Sequence, residues 1–216
     1  MYLKHFDGGQ AEYDALRLYR GWPQLDLLFQ CKFGKLTPDA RGWQAGDIFL
    51  STPLHRKVYH DWIVHKQIEA FPQNPDQTHW THVAVMAEDG RIWDITPGKD
   101  VSSWTVGQFI RESECIGIRR LPNWDTRTQR NLLPVLRTTA GYAKYPNLPR
   151  IALAVARDMA GKPVNLPENV QYCSNYIDTM ITRCLGMSVF KGETTYPASF
   201  ALSPQFDWVD ACWTRC

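Results

Sequence analysis

The tightest constraint on this chain is a pair of short apolar runs, His82-Val83-Ala84-Val85-Met86 and Arg91-Ile92-Trp93-Asp94-Ile95, separated by Glu88-Asp89-Gly90. Both read as strands, and an Asp-Gly pair between strands is a strong hairpin signal, so the two are expected to pair antiparallel. Gly46-Asp47-Ile48-Phe49-Leu50-Ser51, stopped by Pro53, and Cys115-Ile116-Gly117-Ile118-Arg119-Arg120-Leu121 supply two further strands. A central, mostly antiparallel sheet of at least four strands is therefore expected.

Helices fill most of the remainder. Leu54 to Phe71 reads as a helix, and Pro72 to Gln77 as the exposed polar loop that ends it. Asp125 is an N-cap for a helix with Leu132, Leu133, Leu136, Ala140 and Ala143 along one face, which Pro134 is expected to kink or split. Ile151 to Met159 reads as a short apolar helix. The clearest helix begins near Gln171: Cys173, Tyr176, Ile177, Met180, Ile181, Cys184 and Leu185 recur at helical spacing, and Gly186 stops it. Sheet and helices together predict an α+β fold. No repeat or long polar linker divides the 216 residues, so one domain is expected, with residues 1–43 as an N-terminal covering segment holding a short helix near Ala11 to Tyr19.

Composition narrows the class of function. Basic side chains number 24 and acidic ones 22, a formal charge of +2 that argues against nucleic acid as a partner. A hydrophobic fraction of 44%, with nine each of Trp, Tyr and Phe, supports a real core and excludes disorder. No run approaches the roughly 18 apolar residues of a membrane span. The start, Met1-Tyr2-Leu3-Lys4-His5-Phe6-Asp7, lacks the apolar stretch of a secretory signal, so synthesis in the cytoplasm without Sec export is expected. The six cysteines, at 31, 115, 173, 184, 212 and 216, are too sparse for a disulfide scaffold and form no C-x-x-C zinc pair; Cys212 and Cys216 can close a small terminal loop or stay free. Neither a metal nor another cofactor is implied.

Chemistry concentrates at Cys173. It lies at the mouth of its helix, where the dipole and unpaired N–H groups favour a thiolate, whereas Cys184 lies at the carbonyl end. The dipole is worth only about 0.3–1 kcal/mol, too little to ionise a thiol of reference pKa about 8.5 at neutral pH, so a basic partner is needed. His82, where a loop enters a strand, is the best candidate. Asp94, twelve residues on in the facing strand, is placed to bond one ring nitrogen and leave the other for the thiol proton. Each residue also has a plainer reading: Cys173 as a small core residue, His82 as a satisfied strand-end histidine, Asp94 as a cap for the turn at Thr96-Pro97-Gly98. His55, His60 and His65 step by about 140° around a helix and share no face, so a solvated surface accounts for them better than a metal does. His79 reads as a loop histidine packed beside Trp80, with a polar role at the site mouth as the alternative. Ser174 reads as a helix-start hydrogen bonder.

The order Gly46-Asp47, Thr81-His82-Val83-Ala84-Val85, Asp89-Gly90, Trp93-Asp94-Ile95, then Tyr172-Cys173-Ser174-Asn175 opening a helix and Tyr196-Pro197-Ala198-Ser199-Phe200 near the end, resembles the circularly permuted NlpC-type papain-like cysteine hydrolases. The likeness runs from about residue 44 to about residue 205. It implies a papain-like fold with Cys173 as nucleophile, His82 as base and Asp94 as the orienting group, a position where relatives often carry His or Glu. It further implies amide cleavage in peptidoglycan peptides. A wall hydrolase without a signal suggests an antibacterial effector carried into a rival cell's periplasm by a machine such as type VI secretion, with an immunity protein in the producer. Two alternatives stand beside it: a lipid acyl hydrolase or acyltransferase of lecithin–retinol acyltransferase type, and a non-catalytic peptide-binding module.

Overall fold

The computed structural model describes residues 42–55, 57–97, 99–122, 124–147, 150–151, 172–190 and 195–213. The proposed covering segment before residue 42, all but the first residue of the Ile151 to Met159 helix, and the Cys212–Cys216 loop closure lie outside them.

Six strands form one sheet: β1 (Ile48–Pro53), β2 (His82–Met86), β3 (Ile92–Ile95), β4 (Val101–Trp104), β5 (Ser113–Arg120) and β6 (Asp207–Trp213). Their order is β4-β3-β2-β1-β5-β6, and every pairing is antiparallel. The Asp89-Gly90 hairpin forms as expected, with Gly90 at φ 70 supplying the left-handed residue that such a turn requires. β1 and β5 are buried along almost their whole lengths, which makes them the centre of the core. Gly117 of β5 lies so close to the Trp80 ring that an added Cβ would sit 2.8 Å from it. Asp47, fully buried where β1 starts, receives Nε and the terminal guanidinium nitrogen of Arg120 at 2.6 and 2.8 Å, a two-pronged pair that fixes β1 to β5.

The described helices are α1 (Val58–Ala70), α2 (Val106–Glu112), α3 (Thr126–Ala140), α4 (Cys173–Leu185) and α5 (Pro197–Leu202), with a 3-10 turn at Pro75–Gln77. The architecture is α+β. Among the described residues no helix is long and apolar enough to cross a membrane. The apolar stripe of α4 buries Tyr176, Ile177, Met180 and Ile181 against β2, β3 and α3, and Gly186 ends the helix at φ 71. Asp125 caps α3, accepting from the Thr128 N–H at 2.7 Å.

Several elements depart from the sequence expectations. α1 starts at Val58 rather than Leu54, because the Leu54 N–H still bonds to the Glu112 carbonyl and the first turn is closed later by His60 Nδ1 on the Lys57 N–H, at 3.0 Å. That cap buries His60, so the solvated-surface reading holds for exposed His65, paired with Glu69, and not for His60. Pro134 does not split α3: Leu132, Leu133 and Leu136 are buried around it, and this packing outweighs the one backbone bond that proline forfeits. The 72–77 stretch is not wholly exposed, since Gln77 packs inside. Strands β4 and β6 and helix α2 carry little local signal and were not expected.

One buried side chain sets the approach to β2. Gln67 of α1, with no exposed surface, donates from Nε2 to the carbonyls of Thr78 and Trp80, each at 2.8 Å, and accepts from the Ala198 N–H of α5 at 2.7 Å. Helix, loop and C-terminal helix are thereby tied at one amide. Gln67→Leu leaves these three backbone groups without their partner, and at about 1–3 kcal/mol for each unsatisfied buried group the variant should lose at least about 2 kcal/mol in urea unfolding. A loss below about 0.5 kcal/mol would refute this role.

Candidate active site

The sheet register brings the polar residues together. Val85 pairs with Trp93, so the next step places Asp94 opposite Ala84, on the same face as His82 two residues away. Asp94 in turn pairs with Ser102, and Trp104 lies two residues further along that face. Four side chains from three adjacent strands thus point to one spot.

Asp94 is 1% exposed, and a buried carboxylate is costly unless its oxygens are paired. Oδ2 meets His82 Nε2 at 2.8 Å, while Oδ1 accepts from Ser102 Oγ at 3.0 Å and from Trp104 Nε1 at 2.8 Å. These bonds occupy both oxygens, so Asp94 serves the imidazole and not the 96–98 turn. With Nε2 taken, Nδ1 is the ring nitrogen left for Cys173.

Cys173 arrives from the other direction. Tyr172 precedes α4 in extended backbone without a side-chain cap, so the first-turn N–H groups have no partners inside the helix. Ser174 Oγ donates to the Thr195 carbonyl at 2.6 Å and anchors that first turn, which is the helix-start role its position suggested. Cys173 itself is 2% exposed and is a free thiol. Burial by itself would lower the His82 pKa, but the charge of Cys173, hydrogen bonds to Asp94 and Cys173, and the Asp94 charge outweigh it and raise the imidazole from 6.5 to about 10. His82 and Asp94 are thus bonded to each other, and Cys173 acts on the same imidazole.

Cys184, on the same helix, has no such imidazole partner among the described residues. Burial, followed by the charge of Glu88, pushes its thiol up to about 11. His79 stacks beside Trp80 with ring centroids 4.2 Å apart and is buried, in keeping with the packing role expected of it.

Four site residues carried no early sign of their importance: Ser102, Trp104, Tyr59 and Tyr145. The alternation in Val101-Ser102-Ser103-Trp104, directly after the Thr96-Pro97 turn, was the available signal for the first two, because a third strand there must point Ser102 and Trp104 the same way. Tyr59 is pushed up to about 12 by burial and then by the charge of Cys173. Tyr145 is driven well above 10 by the same two causes in the same order. Both phenols keep their protons at neutral pH. A cavity of about 330 Å³, bordered by His82, Asp94, Tyr59 and Tyr145, opens next to this group.

The arrangement can hold an imidazolium at neutral pH, with Cys173 acting on it. The His82 proton should persist through neutrality and leave only as pH rises through about 10, well above the 6.5 of an unperturbed imidazole. Cys173→Ala and Asp94→Asn each remove interactions that raise it. In both variants the ring resonances, followed by NMR, should titrate at lower pH than in the wild type; an unchanged titration in Cys173→Ala would show that the sulfur does not act on the ring. No known family model matches the chain, and no curated protein matches it, so the functional reading rests on this geometry and on the motif order in the sequence.

Proposed function

We propose that this chain is a cysteine hydrolase of papain-like type that cleaves amide bonds, with peptidoglycan peptides as its substrate. The observation that carries the proposal is the His82 Nε2 to Asp94 Oδ2 bond of 2.8 Å, with Cys173 at a helix mouth facing the same imidazole. A histidine oriented by a fully paired carboxylate and set against a thiol is the arrangement nucleophilic acyl transfer requires.

The steps follow from the charges. The Cys173 sulfur attacks the amide carbon, forming C–S while the carbonyl oxygen takes the negative charge. Backbone N–H groups at the start of α4 are natural donors to that oxygen. Tyr145, which borders the cavity with its proton retained, supplies a side-chain donor in this scheme. The His82 imidazolium then gives its proton to the departing nitrogen as C–N breaks, leaving a thioester and a free amine. Water, deprotonated by the now neutral His82, attacks the thioester; C–S breaks and the acid leaves. His82 thus acts first as acid and then as base, and Asp94 stabilises its cationic form throughout.

Peptidoglycan enters through the resemblance in motif order. An antibacterial role with a cognate immunity protein belongs to the same proposal. Mass spectrometry of muropeptides after incubation should show new fragments with wild-type protein and none with Cys173→Ala. Asp94→Asn should lower the rate by roughly 10²–10⁴-fold, the scale of general acid–base assistance. Iodoacetamide should label Cys173 far faster than Cys184, and His82→Ala should abolish the difference. Equal, slow labelling of both thiols would favour a binding module, and fatty acid released from phospholipid vesicles in place of muropeptide cleavage would favour the lipid acyltransferase alternative.

A further inference from the structure

The cavity beside His82 has a polarity that cleavage alone does not explain. Its border includes Lys57 and Lys99 against a single exposed acid, Glu112. On this border the two lysines outnumber the exposed acid. Lys99 is held in place: its Nζ sits 4.7 Å from the centroid of the Trp104 ring, the same ring whose Nε1 donates to Asp94. Thr81, almost wholly buried, also borders the cavity with its hydroxyl unpaired by any protein group.

The chemistry assigns a side to this space. His82 must hand its proton to the departing nitrogen, so the amine and whatever it carries lie on the open side of the imidazole. The cavity is bordered by His82. Resting on the hydrolase reading above, we infer that the cavity is the leaving-group subsite and that it selects amines bearing a carboxylate, as an amino acid or peptide with a free acid does. A single carboxylate can pair with one exposed ammonium group. Lys99, steered by Trp104, is the residue that recognises the acid.

The subsite can be read by running the acyl-transfer step with chosen amines. p-Nitrophenyl acetate acylates Cys173: C–S forms, the ester C–O breaks, and p-nitrophenol leaves with the His82 proton, so that His82 is neutral in the acyl-enzyme. An added amine then attacks the thioester: C–N forms, C–S breaks, and the amine proton passes to His82. The partition between the acetylated amine and acetate, measured by liquid chromatography, reports how well each amine occupies the subsite. Partition ratios are taken within each variant, so they do not depend on its overall rate.

Glycylglycine should outcompete glycylglycinamide by roughly two- to fivefold, the scale of an exposed ion pair, and raised salt should shrink the advantage. Lys99→Gln should bring the ratio towards one, Lys99→Arg should restore it, and Lys99→Glu should reverse it. Equal partition of the two dipeptides in the wild type would overturn the inference while leaving the hydrolase intact. Preference for O-phosphoethanolamine over ethanolamine, with none between the dipeptides, would overturn the carboxylate assignment and point to a lipid headgroup. A wild type without a Cys173-dependent burst of p-nitrophenolate would overturn the hydrolase reading and this inference with it.

Discussion

A carboxylate with almost no access to water governs the geometry of this molecule. Burial of the Asp94 carboxyl group inside the sheet is tolerable only because His82 from β2 and Ser102 and Trp104 from β4 all present polar hydrogens to it. Those donors come from the strands on either side of its own, so satisfying one charge fixes the register of three strands. A slip of one residue in either neighbour would turn its donors to the opposite face and strand the carboxylate. The same bonds that make burial tolerable also orient the imidazole, so the requirement of the fold and the requirement of the site coincide.

A second set of bonds brings the histidine to that position. The segment entering β2 is fixed by Gln67 from below, by Thr52 Oγ1 on the His79 carbonyl at 3.0 Å, and by the Thr81 N–H on the Ser51 carbonyl at 3.1 Å. None of these side chains touches the sulfur. Each restricts the arc through which His82 can swing. Arg119 does comparable work at the far end, donating to the carbonyls of Phe200 and Ser203 and stacking on Trp208 with 4.6 Å to the ring centroid, which seats α5 against the sheet. α5 then presents the Ala198 N–H to Gln67, closing a loop of contacts between the C-terminal helix and the histidine strand.

What could be read from sequence follows from the range of the forces involved. The hairpin and the α4 stripe were legible because they are local: a turn that needs Gly90, and a helix whose apolar residues recur every three or four positions. Asp94 was legible through the hairpin, because a short turn dictates which residues face each other. β6 was not legible, since its pairing with β5 joins residues about ninety positions apart and no local pattern reports such a partner. Tyr145 was hidden for a related reason. Its relation to Cys173 is made only by tertiary packing, and a tyrosine in Ala143-Lys144-Tyr145-Pro146 looks like any turn aromatic. His60 misled because helical spacing predicts which residues share a face but not that one of them will turn back to cap its own helix.

The two thiols of α4 show how little of the chemistry resides in residue type. Cys173 and Cys184 share a helix and an apolar stripe, and in isolation they differ only by the sign of the helix dipole, worth at most about 1 kcal/mol. The larger difference comes from what the rest of the fold sets against each end. At the carbonyl end the neighbour is Glu88, whose carboxylate also accepts from the Leu133 N–H at 3.3 Å, so a negative charge faces the sulfur that is already pushed up by burial. At the amide end the neighbour is a cationic imidazole whose charge is secured by a paired carboxylate. Both environments are built from a charged side chain delivered by the same hairpin: Glu88 from its turn and His82 from its first strand. One hairpin therefore sets a carboxylate against one thiol and an imidazole against the other, and the contrast between the two sulfurs comes from where the strands place their charges.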